Sequence, residues 1–126
     1  MLYNNVIKCA INEVKKSNYD IKIGAVVFKG KRIYGYGHNG IRSSSISIKH
    51  KKWEESLHAE QAALLNLDWN KLKGFSILVY RINKNGALAM ARPCEMCQKL
   101  IKHVGIKNMY YTTNDGQIKL EKVRNN

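Results

Sequence analysis

Val6, Ile7, Ala10, Ile11 and Val14 recur at three- and four-residue spacing with Lys and Asn between them, which predicts an amphipathic first helix ending near Ser17-Asn18. Cys9 falls inside it and reads as packing. Ile21 to Phe28 is apolar and β-branched, Lys29-Gly30-Lys31 turns, and Arg32 to Gly37 continues with Ile33, Tyr34 and Tyr36, so a β-hairpin follows. Gly35, Gly37 and Gly40 surround His38-Asn39, where the backbone must approach something closely or take unusual dihedrals. Ile41 to Ser56 has no sustained period and reads as a long loop, a feature often tied to function in a compact domain. Helix formers then run from His58 to about Leu67. Phe75 to Ile82 is a nearly continuous apolar run, as in a central strand covered on both faces. Pro93 is expected to open a helix at its first position, with Val104 near the end and Gly105 as the stop. Ile106 to Thr113 predicts a strand whose alternation puts at least one of Tyr110 and Tyr111 in the core; Asn114-Asp115-Gly116 turns, and Gln117 to Val123 returns. That last pair can only be antiparallel, because a parallel crossover needs a dozen or more residues and the chain finishes within ten. The order α-β-β-α-β-α-β-β describes an α/β sandwich around a mixed sheet.

At 126 residues, 1–126 is expected to form a single domain. No apolar run approaches the roughly 20 residues of a membrane span, and the first residues lack the plan of a signal peptide. The expectation is a soluble, cytoplasmic protein with no membrane partner. The charge balance is 22 basic against 9 acidic residues, +13, enough to attract nucleic acid or nucleotide. Yet 17 of the 22 are Lys and only five are Arg, while Asn and Ile occur 13 times each, as an A+T-rich coding sequence would impose without selection for binding. Three cysteines are too few and odd in number for a disulfide scaffold. Cys94 and Cys97 stand three apart, a spacing that suits metal.

Two motifs carry chemistry, His58-Ala59-Glu60 and Pro93-Cys94-Glu95-Met96-Cys97, each at the start of a predicted helix. Cys94 and Cys97 share a helix face at the positive end of the macrodipole, which favours their thiolates. His58 adds a nitrogen. Three protein ligands leave the fourth position of a zinc ion open, the arrangement of a catalytic site. Glu60, two residues from a ligand, can sit beside that position without coordinating and move protons. Two thiolates neutralise the ion's charge, so a general base is needed to activate water. A structural site would instead recruit a fourth ligand from Cys9, His38, His50 or His103, none of which has a motif spacing to the others.

The pair of motifs resembles the zinc-dependent cytidine and deoxycytidylate deaminase superfamily, with its H-x-E and P-C-x-x-C signature. The element order is similar along nearly the whole chain, and the closing antiparallel hairpin looks like the cytidine-deaminase branch. The resemblance implies a three-layer α/β/α sandwich with a five-stranded mixed sheet, one Zn2+ on His58, Cys94 and Cys97, and Glu60 as proton shuttle. It further implies a substrate contact by Asn39, an Ala59 backbone amide facing the base, and a homo-oligomer, dimer or tetramer. The chain departs from cytidine deaminases at Glu95 and Gln98, where Gly and Arg are usual, and at Ile41, where their ribose-gripping Glu would stand.

The expected function is hydrolytic deamination of cytosine in a cytidine or deoxycytidine nucleoside or nucleotide. An alternative is an editor of cytosine, or adenine, in single-stranded nucleic acid; a second is a zinc-binding domain without catalysis. Arg42, Lys49, Lys51, Lys52 and Trp53 mix cations with an aromatic ring ahead of the zinc helix, as a strand-guiding groove or lid would, or as an ordinary solvated loop would. His38 is a further candidate substrate contact or a packed turn residue.

Overall fold

The computed structural model describes residues 2–40 and 58–124. Helix α1 (Asn4–Lys16) buries Val6, Ala10 and Val14 on one side, and Ser17 closes it by donating its backbone N–H to the Val14 carbonyl. Strands β1 (Lys22–Lys29) and β2 (Arg32–His38) form the expected antiparallel hairpin. Helix α2 (Ala59–Leu64), strand β3 (Ser76–Ile82), helix α3 (Glu95–His103) and strands β4 (Asn108–Thr112) and β5 (Ile118–Lys122) complete the described elements.

The five strands lie in the order β2-β1-β3-β4-β5, with β3 and β4 parallel and the other neighbours antiparallel. The closing hairpin β4-β5 is antiparallel as its short length demands. Helix α1 covers one face over Val26, Phe28, Leu78 and Tyr110. Helices α2 and α3 cover the other over Val27, Ile77, Val79, Met109 and Tyr111. The result is the three-layer α/β/α sandwich of the resemblance, with β3 central and apolar toward both layers. Tyr110 and Tyr111 are both buried, one on each face.

Two glycines of β2 set how closely α2 lies. A Cβ on Gly37 would stand 2.6 Å from Ala62 Cβ and 2.8 Å from the Ala63 nitrogen, and one on Gly35 would overlap the Ala63 carbonyl oxygen. The close approach expected around His38-Asn39 is therefore that of helix backbone to strand backbone.

Several boundaries shift for local reasons. Helix α2 stops at Leu64 rather than Leu67, because the indole of Trp69 donates to the Leu64 carbonyl and Asp68 caps a short 3-10 turn over Trp69–Lys71. Pro93 is not the first residue of α3. Cys94, extended at φ −65° and ψ 167°, is the N-cap, and the Pro93 carbonyl accepts from the Gln98 side chain at 2.6 Å. After β3 the chain turns at Asn83 to Gly86 and comes back, with Ala89 donating to the Arg81 carbonyl, a return that the apolar pattern did not announce. The proposed loop of Ile41 to Ser56 lies outside the described residues.

Candidate active site

Each motif contributes from the cap of a helix. His58 is the N-cap of α2, extended at φ −69° and ψ 153°, and its backbone N–H donates to Gln61 Oε1 at 2.8 Å. That bond fixes where the imidazole leaves the chain. Cys94 occupies the same position on α3, and Cys97 sits one turn in. Because N-cap side chains fold back over the first turn, both motifs converge beyond the ends of their helices instead of along their sides.

The His58 Nδ1 lies 3.3 Å from Cys97 Sγ and 3.7 Å from Cys94 Sγ, and the three donor atoms all lie within 4.8 Å of one another. Tetrahedral zinc, with Zn–N of about 2.05 Å and Zn–S of about 2.3 Å, separates nitrogen from sulfur by about 3.6 Å. The two observed distances bracket that value, so the donors fit zinc through Nδ1. The electrostatics agree. Burial pushes the Cys97 thiol far up, and the neighbouring charges of Glu60 and Cys94 push it further. A cation would offset the charge gathered where the buried Cys97 and Glu60 meet the exposed Cys94. Among the described residues no other group of His, Cys, Asp or Glu is placed for a metal. Cys9 is half-buried within α1 on the opposite face of the sheet, and His103 meets the edge of Trp69 at 6.3 Å between centroids, so neither belongs to the metal group; His50 lies outside the described residues.

Glu60, in the first turn of α2, is 5% exposed. Burial raises its carboxyl above the ordinary range, while its own backbone N–H, His58 and a hydrogen bond with Cys97 act in the opposite direction. A cavity of about 340 Å³ opens beside it, lined by Asn39, His58, Ala59, Glu60 and Cys94. Four residues of the two distant motifs and one from the end of β2 thus share one space. A larger groove of about 680 Å³ lies between α3 and β5 but holds none of these groups.

The Asn39 amide is oriented without ambiguity. Its Oδ1 accepts from Ser17 Oγ at 2.8 Å and from the Ile23 N–H at 2.9 Å, and its Nδ2 donates to the Ile21 carbonyl at 2.7 Å. With both lone pairs used, the group it can still offer is the second N–H of Nδ2. His38 does not line this cavity: its Nδ1 is 3.2 Å from Glu13 Oε1, and Lys16 Nζ approaches the same buried carboxylate at 2.6 Å. Arg42, Lys49, Lys51, Lys52 and Trp53 lie outside the described residues.

Two arginines in the cavity wall went unseen in the sequence. Arg92, next to Pro93, is forked onto Glu121 of β5 through Nε at 3.0 Å and Nη2 at 2.8 Å, a link that anchors the Cys94 loop to the edge strand. The Glu121 carboxyl is held below its ordinary range by that fork. Arg81 is the one charged residue in the apolar run of β3, and that interruption was the available signal.

Zinc-fitting donors at two helix N-termini of this sandwich define a deaminase-type metal centre. Residues 2–113 match the model of the cytidine and deoxycytidylate deaminase zinc-binding region, and the chain belongs to that family. Its cofactor is Zn2+. Among solved structures it is similar to the dCMP deaminase of the cyanophage S-TIM5 in apo form, at 28% identity over 85% of this chain and 79% of that one, TM-score 0.63. The same phage enzyme in complex with dCMP and dUMP aligns at 25% identity over 88% and 83%, TM-score 0.63. The cytidine deaminase of Mycobacterium leprae, 19% identical over 95% and 93% with TM-score 0.59, shares the fold. None of the curated proteins is matched by the chain. Among the described residues no helix is long and apolar enough to cross a membrane.

Proposed function

We propose that the protein hydrolyses the amino group of cytosine in a cytidine or deoxycytidine nucleoside or nucleotide, giving the uracil form and ammonia. The observation that carries this reading is the buried Glu60 carboxylate in one cavity with His58, Cys94 and Asn39. His58, Cys94 and Cys97 would hold the ion, which when bound would supply a water of lowered pKa as nucleophile. Glu60 would take a proton from the attacking water, deliver it to the ring nitrogen next to the reacting carbon, and pass the second proton to the departing amine. Water adds, ammonia leaves, and no redox partner is required. Asn39 donates its remaining N–H to an acceptor on the sugar, and the Ala59 backbone amide faces the base. The phage dCMP deaminase, similar over most of both chains and described in complex with dCMP and dUMP, supports a cytosine nucleotide. The same reading takes residues 1–126 as one domain, acting in the cytoplasm as a homo-oligomer.

The test is ammonia release from a panel of free bases, nucleosides, mononucleotides and oligonucleotides, with zinc content measured alongside. Turnover of a cytosine nucleoside or mononucleotide at about one zinc per chain is the expected result. Turnover confined to oligonucleotides, with affinity falling steeply in salt at a slope of roughly −0.7 per phosphate contacted, establishes the editing alternative. Zinc binding without release from any substrate establishes a non-catalytic domain.

A further inference from the structure

The two arginines of the cavity differ in what they hold. The fork of Arg92 is filled by both oxygens of Glu121. Arg81 makes no ion pair among the described residues; its Nη1 donates to the Met90 carbonyl at 3.1 Å, and its Nε is buried with no hydrogen-bond partner. By strand alternation Arg81 lies on the same face as Ile77 and Val79, at the carboxyl end of β3, and it lines the cavity that contains Glu60 and Cys94. Ligands of α/β sheets bind outside the carboxyl ends of strands.

A guanidinium cannot discharge itself by losing a proton, and a bare buried donor is a feature that native proteins rarely leave without a reason. Among the described residues, nothing else lining the cavity compensates it. Two thiolates cancel the formal charge of the zinc ion, and Glu60, the carboxylate of the lining, is not paired with Arg81. Ile21, Ile23 and Val79 make the neighbouring wall apolar, which strengthens any charge pairing there. A neutral carbonyl is a weak competitor for the fork, so an anion can draw Arg81 from Met90 and turn the free Nε–H toward itself.

We propose that Arg81 binds an anionic group of the substrate, the 5′-monophosphate of a cytosine mononucleotide, and sets a preference for the nucleotide over the nucleoside. The proposal rests on the deaminase reading above and sharpens its substrate. Phosphate oxygens match the planar fork, and a nucleoside offers it no charge.

The experiment compares kcat/KM for dCMP and deoxycytidine, and for CMP and cytidine, in the wild type, Arg81→Gln and Arg81→Lys, with zinc content and Tm recorded. The wild type is expected to favour the monophosphates. In Arg81→Gln the ratio of monophosphate to nucleoside kcat/KM should fall about ten- to a hundredfold, the range for losing a hydrogen bond to a charged group, chiefly through KM. Arg81→Lys should recover part of it. An unchanged ratio overturns the proposal. Calorimetric binding of dUMP against deoxyuridine, in wild type and Arg81→Lys, gives the same comparison without turnover. If no cytosine substrate releases ammonia the deaminase reading fails, and dUMP binding that weakens in Arg81→Lys still supports the phosphate contact. Equal dUMP binding in the two proteins sinks it. If Arg81→Gln does not fold, the Arg81→Lys ratio and the dUMP measurement decide.

Discussion

The two faces of the sheet are covered by helices of opposite character. Helix α1 has thirteen residues and lies over its face by an apolar stripe, Val6, Ala10 and Val14, and contributes nothing to the lining of the metal cavity. Helices α2 and α3 have six and nine residues, too few to be stable in isolation, yet they bring His58, Glu60, Cys94 and Cys97 together. Helical stability and chemical duty are thus divided between the layers. A short helix suffices for the site because the donors leave from the cap and the first turn, and what it needs is a fixed end, which in α2 burial of Ala59, Ala63 and Leu64 against β1 and β2 provides.

The sharpest division is expected from Glu60→Gln. Turnover should fall by a factor of about 10² to 10⁴, the usual worth of a positioned general acid-base group, while zinc content stays at one per chain and Tm hardly moves. Near-normal turnover would remove Glu60 from the mechanism. Next in size is Gly37→Val, where the new side chain meets α2 backbone that cannot yield. Overpacking there should cost about 3 kcal/mol or more and take zinc with it, as seen by denaturation and metal analysis. If zinc and stability survive, close packing of α2 on β2 does not hold the site.

On the other face, Val6→Ala should cost about 2 kcal/mol for the lost burial and cavity, a fall of several degrees in Tm, with kcat and zinc stoichiometry retained. Loss of zinc would show that the layers are not separable. Ser17→Ala probes the place where the end of α1 reaches toward the cavity, through the bond to Asn39. Deleting one of the two donors that orient the amide should raise KM about two- to tenfold with little change in kcat. A change in kcat alone would mean that Asn39 does not meet the substrate through binding.

Much of the site was legible because its chemistry is local in sequence. The H-x-E and C-x-x-C spacings put donors on first turns, and the position of each motif ahead of a helix-forming run gave the cap geometry, although Cys94 and not Pro93 starts that of α3. Asn39 was recognisable by resemblance. The reason its amide points as it does was not, since Ser17, Ile21 and Ile23 come from the end of α1 and the start of β1. His38 could be read as a substrate contact or a packed turn residue, and its contact with the buried Glu13 of α1 places it away from the cavity.

By itself the sequence determined the helix and strand order, the antiparallel closing pair and the candidate metal group of His58, Cys94 and Cys97, because periodicity, loop length and ligand spacing act over a few residues. Only the tertiary structure decided which groups share the cavity. Neither Arg81 nor Arg92 shows its partner along the chain, but Arg92 meets Glu121 across the sheet edge and Arg81 meets no carboxylate among the described residues. Charge compensation is settled by distance in space, and the pairing of β3 with β4, followed by the return of β5, sets that distance.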